Sequence, residues 1–97
     1  MRVNVHFYGF VRDVVDTSRI AIETSQDISV RELLDLASKR FGEALRERLL
    51  SGSGELQANV RVFVGEDETA SLETPISDGQ NGSTEVKVFV LSATAGG

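Results

Sequence analysis

One stretch of this chain is built to be an amphipathic helix, and it limits what the remainder can become. Ser29-Val30-Arg31-Glu32 has the spacing of a capping box, with Ser29 as N-cap and Glu32 reaching back to it. Val30, Leu33, Leu34, Ala37 and Phe41 then fall on one face of a 3.6-residue period, and Gly42 supplies a stop. Such a stripe must be covered by something apolar. The segments on either side of it alternate with period two, so the covering layer is a sheet.

Four segments carry that alternation or a shorter version of it. In Arg2 to Tyr8, Val3, Val5 and Phe7 point one way while Asn4, His6 and Tyr8 point the other. Ser18 to Thr24 places Ile20 and Ile22 together, close enough in sequence to form a hairpin with the first strand across the Gly9–Asp16 turn. Asn59 to Val64 turns Val60, Val62 and Val64 inward and Arg61 and Phe63 outward. Glu85 to Leu91 turns Val86, Val88 and Val90 inward and Lys87, Phe89 and Leu91 outward. Glu43 to Leu50 reads as a short second helical piece, residues 51–54 as a loop, and GEDE at 65–68 as a turn. Ser71 to Glu73 reads as a short edge strand, and Ile76 as a core plug before the Asp78-Gly79 turn, which QNGST at 80–84 lengthens. The expected class is α+β, a mixed sheet of four to five strands with one main helix packed on one face.

Composition narrows the function. The 97 residues suit one domain and contain no cysteine, which excludes disulfides, thiolate metal sites and cysteine nucleophiles. A net charge of −5 argues against nucleic acid as a partner. The N-terminus alternates rather than forming an apolar block, and no run has the length of a membrane span, so a cytoplasmic protein is expected. The 51–54 glycines lack the lysine and following Ser/Thr of a phosphate-binding loop. His6 is expected to be an ordinary outward residue, and Glu66-Asp67-Glu68 has too few ligands for a calcium loop. No metal site, catalytic triad or nucleotide site is expected.

What remains is the end of the sequence, Leu91-Ser92-Ala93-Thr94-Ala95-Gly96-Gly97. It continues a strand into small side chains and two glycines, around which another protein's backbone can close tightly. Extended, about seven such residues reach roughly 20 Å. The division expected is a domain over residues 1–91 and an extended tail over 92–97, its carboxylate presented to another protein's active site. Tyr8, Phe63, Phe89 and Leu91 all face away from the helix and form an apolar docking surface beside it. The alternatives are that these residues are scattered, or that the second helical piece covers them.

The element order, with NVRVFVGEDE, LETPISDG and KVFVLSATAGG, resembles the MoaD/ThiS sulfur carriers of the ubiquitin-like β-grasp class. FVRDVV after the first strand, the Asp78-Gly79 turn and the terminal Gly96-Gly97 carry the likeness, which runs over nearly the whole chain. The resemblance implies that the Gly97 carboxylate, with Gly96 before it, is adenylated by an E1-like enzyme of the MoeB/ThiF type and converted to a thiocarboxylate. It implies ATP bound by that partner and no cofactor held here. Tyr8, Phe63, Phe89, Leu91, Thr94 and Ala95 would then contact the partner. Molybdopterin biosynthesis is the leading pathway, with a MoaE-like synthase large subunit as second partner. Related members are instead joined through the terminal glycine to lysines of other proteins, or serve cysteine synthesis or tRNA thiolation. Ser92-Ala93 stands where many members carry Pro-Pro, and Gly65 where Asn is common.

Overall fold

The computed structural model describes residues 1–77 and 83–93. The Asp78-Gly79 turn and most of the lengthened segment after it lie outside that range, as do Thr94, Ala95, Gly96 and Gly97.

Among the described residues, seven strands and two helices follow one another. β1 (Arg2–Gly9) and β2 (Arg19–Glu23) form the expected antiparallel hairpin, with Val3 opposite Ile22 and Val5 opposite Ile20. A two-residue strand β3 (Ile28–Ser29) leads into α1 (Val30–Phe41), and α2 (Glu43–Leu49) follows immediately. β4 (Val60–Val64) and β5 (Asp67–Thr69) make a second hairpin. β6 (Pro75–Ile76) pairs with β3, and β7 (Ser83–Val90) closes the fold. The main sheet runs β2-β1-β7-β4-β5, so the last strand lies in its centre. It is a mixed sheet: β7 is parallel to β1 and antiparallel to β4.

The core is the meeting of the two expected periodicities. Val3, Val5, Phe7, Val60, Val62, Val86, Val88 and Val90 on the sheet are buried with Leu33, Leu34 and Ala37 of α1. Phe41 closes the stripe, its ring edge-on to Phe7 at 6.1 Å. α2 packs on α1 and adds Leu45 and Leu49 to the same core. Gly42, with φ of 97°, is both the stop of α1 and the start of α2. A left-handed residue is what lets one helix end and another begin without a loop.

The start of α1 is held by more than its capping box. Ser29 Oγ accepts from the Glu32 amide at 3.2 Å, and Glu32 Oε1 accepts from the Ser29 amide at 3.1 Å. The two amides left over donate across the chain, Val30 to the Thr74 carbonyl at 3.0 Å and Arg31 to the Leu72 carbonyl at 2.8 Å. This corrects the edge strand expected at Ser71 to Glu73. Those residues form a turn, with Leu72 buried, because the Leu72 carbonyl and that of the adjoining Thr74 are used by the helix and not by a strand. Thr69 Oγ1 and Thr74 Oγ1 lie 2.6 Å apart and close the turn from either side.

The turn expected over residues 65–68 is shorter than its acidic composition suggested. Only Gly65 and Glu66 turn, and Asp67 and Glu68 pair with Val64 and Phe63 in β5. Gly65, with φ of 62°, permits a two-residue hairpin. β5 is an edge strand, where acidic side chains stay in water.

Candidate docking face and tail root

β7 has a neighbour on both sides, so its outward residues are flanked where those of an edge strand are not. Phe89 is directly opposite Tyr8 in the parallel ladder with β1. On its other side it faces Arg61 of β4, with Phe63 two pairs further along opposite Lys87. The three aromatic rings therefore meet across three strands. Tyr8 and Phe89 are stacked at 4.6 Å and 14°, and Phe63 stands edge-on to Phe89 at 5.6 Å and 77°. Phe89 is the middle ring, half-buried by the other two. Offset stacking and edge-to-face contact are the favourable arrangements of such rings, so the row is held in shape before anything binds it.

Towards the end of β7 the apolar surface becomes more exposed. Tyr8 is 40% exposed and Leu91 57%. Phe10, in the loop after β1, is 52% exposed. Its amide donates to the Val90 carbonyl at 2.9 Å, which fixes it beside the point where the chain leaves the sheet. The loop behind it is braced from α2, where Arg48 binds the Asp13 carboxylate with two nitrogens at 2.8 and 2.7 Å and the Phe10 carbonyl at 2.8 Å. That pairing holds the Asp13 carboxyl below its ordinary pKa. The second helical piece does not cover the rings. Its leucines lie in the core on the α1 side of the sheet.

Further along the outward face the row gives way to polar groups. Glu85 accepts from Asn4 Nδ2 at 2.6 Å and bonds His6 Nε2 at 2.7 Å. These bonds, Asn4 first and His6 second, lower the Glu85 pKa. His6 is thus outward as expected, but it is tied to a carboxylate and not simply hydrated. The outward face thus has an aromatic end, near Val90 where β7 stops, and a polar end around Glu85.

The tail root is fixed by Asn59. Its carbonyl accepts the Leu91 amide at 2.8 Å, and its side-chain Nδ2 donates to the Ser92 carbonyl at 2.8 Å. Tyr8, Phe63, Phe89 and Leu91 are accordingly placed on one face, leading to this root. Thr94, Ala95, Gly96 and Gly97 fall outside the described residues. Phe10 and Asn59 are the residues that sequence reasoning missed. Phe10 follows the glycine that breaks the β1 alternation, and Asn59 was counted only as the start of a strand. Among the described residues no group of three or more His, Asp or Glu side chains is placed to hold a metal ion. No helix among them is long and apolar enough to cross a membrane.

Among solved structures the chain is similar to SAMP1 from Haloferax volcanii, at 18% identity over 100% of both chains with a TM-score of 0.77. It is similar also to a putative molybdopterin converting factor, subunit 1, from Pyrococcus furiosus, at 22% identity over 94% of this chain and 98% of that one, TM-score 0.70. A third similar structure, a Haloferax volcanii protein solved in solution, shares 25% identity over 100% of this chain and 87% of its own, TM-score 0.72. The fold is the ubiquitin-like β-grasp. No protein-family model and no curated protein matches the sequence. In this β-grasp the aromatic row spans the central strand β7 and its two neighbours, β1 and β4.

Proposed function

We propose that this chain is a ubiquitin-like carrier that works through the carboxylate of Gly97. The observation that carries the reading is the continuity of one surface. Phe63 and Tyr8 flank Phe89 on β7, β7 runs directly through Leu91 to the held segment at Ser92, and the sequence beyond it is small residues and two glycines. A partner seated on the rings has the tail within reach of its own catalytic centre.

The chemistry required is activation of a carboxylate, which does not react with nucleophiles because its oxide is a very poor leaving group. An E1-like adenylating enzyme of the MoeB/ThiF type supplies the leaving group. A carboxylate oxygen of Gly97 attacks the α-phosphorus of ATP and pyrophosphate departs. Sulfur delivered as a persulfide then displaces AMP to give an acyl disulfide. A second thiol attacks the donor-side sulfur of that bond, releasing the thiocarboxylate and leaving a disulfide between the two thiols. This chain is the substrate and not the catalyst. Its part is to dock and to hold the tail in line. As a sulfur carrier its product donates sulfur in molybdopterin biosynthesis, with a MoaE-like large subunit as second partner. The likeness to the molybdopterin converting factor subunit supports that reading.

The likeness to SAMP1, also described as a small archaeal modifier protein, supports a second reading. There the activated Gly97 carbonyl is taken by a lysine amine, and an isopeptide bond forms in place of the thiocarboxylate.

ATP–pyrophosphate exchange with the adenylating enzyme of the source organism tests the shared step. Exchange with the full chain and none after deletion of Gly97 is the expected result, because the carbonyl is then about 3.3 Å short of its place. Gly96→Val should be nearly as poor, since a β-branched side chain widens the strand, and Gly97→Ala milder. Equal exchange with and without Gly97 would remove both readings. The mass of the chain from its native host then separates them: heavier by the difference between sulfur and oxygen for a carrier, ladders of conjugates for a modifier.

A further inference from the structure

Asn59 is a polar residue buried where the fold has little need of one. It sits between the 57–60 turn and β4, and the backbone ladder between β4 and β7 runs from Val64 opposite Val86 to Val60 opposite Val90. One more backbone bond, from the Leu91 amide to the Asn59 carbonyl at 2.8 Å, continues it beyond that pair. Beyond this the next bond comes from a side chain. Asn59 Nδ2 donates to the Ser92 carbonyl at 2.8 Å, where a continuing strand would have offered a backbone amide. Among the described residues Asn59 Oδ1 is buried without a hydrogen-bond partner. A buried acceptor left unpaired is a cost to the fold, and an apolar side chain of the same shape would avoid it. Among the described residues the amide's one bond is made to the Ser92 carbonyl, at the point where the chain leaves the sheet.

We infer that Asn59 is the positioning residue of the C-terminal segment: its side-chain amide fixes the direction in which Leu91 and Ser92 carry the chain off the sheet. The inference rests on the proposed function for its consequence, since a tail aimed from the docking face loses less freedom on entering a partner's channel. The geometry dictates the residue type. Serine is too short to reach the Ser92 carbonyl from the same backbone, aspartate has no donor, and leucine has the shape without either polar atom.

The test is Asn59→Leu, with Asn59→Ala as the second variant, each in the full-length chain. The Asn59 carbonyl survives in both, so the Leu91 bond and the β4–β7 ladder remain. In the wild type, 1H–15N heteronuclear NOEs at Ser92 and Ala93 should approach those of β7. In both variants they should fall to the values of a free chain end, while the melting temperature of Asn59→Leu is unchanged or higher. A merely structural role predicts the reverse, a lower melting temperature with the NOEs unmoved. In ATP–pyrophosphate exchange the kcat/KM of the variants should drop about tenfold or more. NOEs equal to wild type would overturn the inference. So would lost NOEs with undiminished exchange, because the held direction would then serve nothing. If the wild type itself does not exchange, it is the proposed function that fails, and the NOE comparison still decides whether Asn59 holds the segment.

Discussion

Gly9 and Val90 stand so close that a Cβ on Gly9 would fall well inside van der Waals contact distance of the Val90 carbonyl oxygen. They are the last pair of the parallel ladder between the first and last strands, and the next amide, that of Phe10, takes the same carbonyl at 2.9 Å. Gly9 has φ of 85°, which turns the chain out of β1 and lets the backbones touch. Both demands exclude a side chain.

Gly9→Ala should therefore cost about 2–4 kcal/mol, from the left-handed backbone together with the displaced Val90 carbonyl. Urea denaturation followed by circular dichroism reads this as a lower midpoint at unchanged slope. An unchanged midpoint would mean that the two backbones separate freely. Since Phe10 and the root of the tail hang from the same carbonyl, the loss should be accompanied by shifts in the amide resonances of Phe10 and Leu91.

Much of this architecture is legible in the sequence, because two periods are enough to state it. Val3, Val5 and Phe7 repeat every two residues, and Val30, Leu33, Leu34, Ala37 and Phe41 follow the helical turn, so each declares its inward face. Alternation likewise declared Tyr8, Phe63 and Phe89 outward. That their rings meet depends on register, Tyr8 opposite Phe89 across 81 residues of sequence, and no local pattern encodes it. The edge strand expected at Ser71 to Glu73 failed for a related reason, one that involves Leu72 and the adjoining Thr74. Their carbonyls serve amides at the start of α1, a long-range backbone need that leaves no trace in residue type. Asn59 resembles a turn residue in sequence, and only the structure shows its amide reaching Ser92.

Leu33 lies fully buried between α1 and the valines of the sheet. Leu33→Ala removes most of that side chain from the tightest part of the core, and should cost about 2–5 kcal/mol. In a domain with about 5–10 kcal/mol to lose, thermal denaturation should show it plainly. A midpoint within error of wild type would contradict the helix-on-sheet packing.

Acid should loosen the outward face at its polar end. Glu85 is held below the ordinary glutamate value of 4.5 by bonds from Asn4 and then His6. A carboxylate with a lowered folded pKa contributes stability above its unfolded value, and that contribution is lost as pH falls through the folded one. Asp13, lowered by Arg48 from an ordinary 3.8, acts in the same direction. The melting temperature should thus decline below about pH 4.5, and Glu85→Gln should decline less steeply over that range. Parallel curves for the two proteins would show that Glu85 is not a source of the acid sensitivity.

The aromatic row can be separated from the fold because its rings stand on the face opposite the core. Phe89→Asp removes one stack and one edge-to-face contact, worth about 0.5–1.5 kcal/mol each, and leaves every inward valine in place. The chain should remain folded. Its affinity for the adenylating enzyme should fall by about 2 kcal/mol or more, roughly thirtyfold in Kd, because Phe89 is the central ring and the one that both others lean on. Phe63→Asp should be milder, being farther from the tail. Phe10→Asp, at the exposed end beside Val90, should weaken binding without disturbing the Tyr8–Phe89 stack. Calorimetric titration of the three variants against the enzyme gives the order directly. Wild-type affinity for Phe89→Asp would place the docking surface elsewhere, whatever the tail does in catalysis.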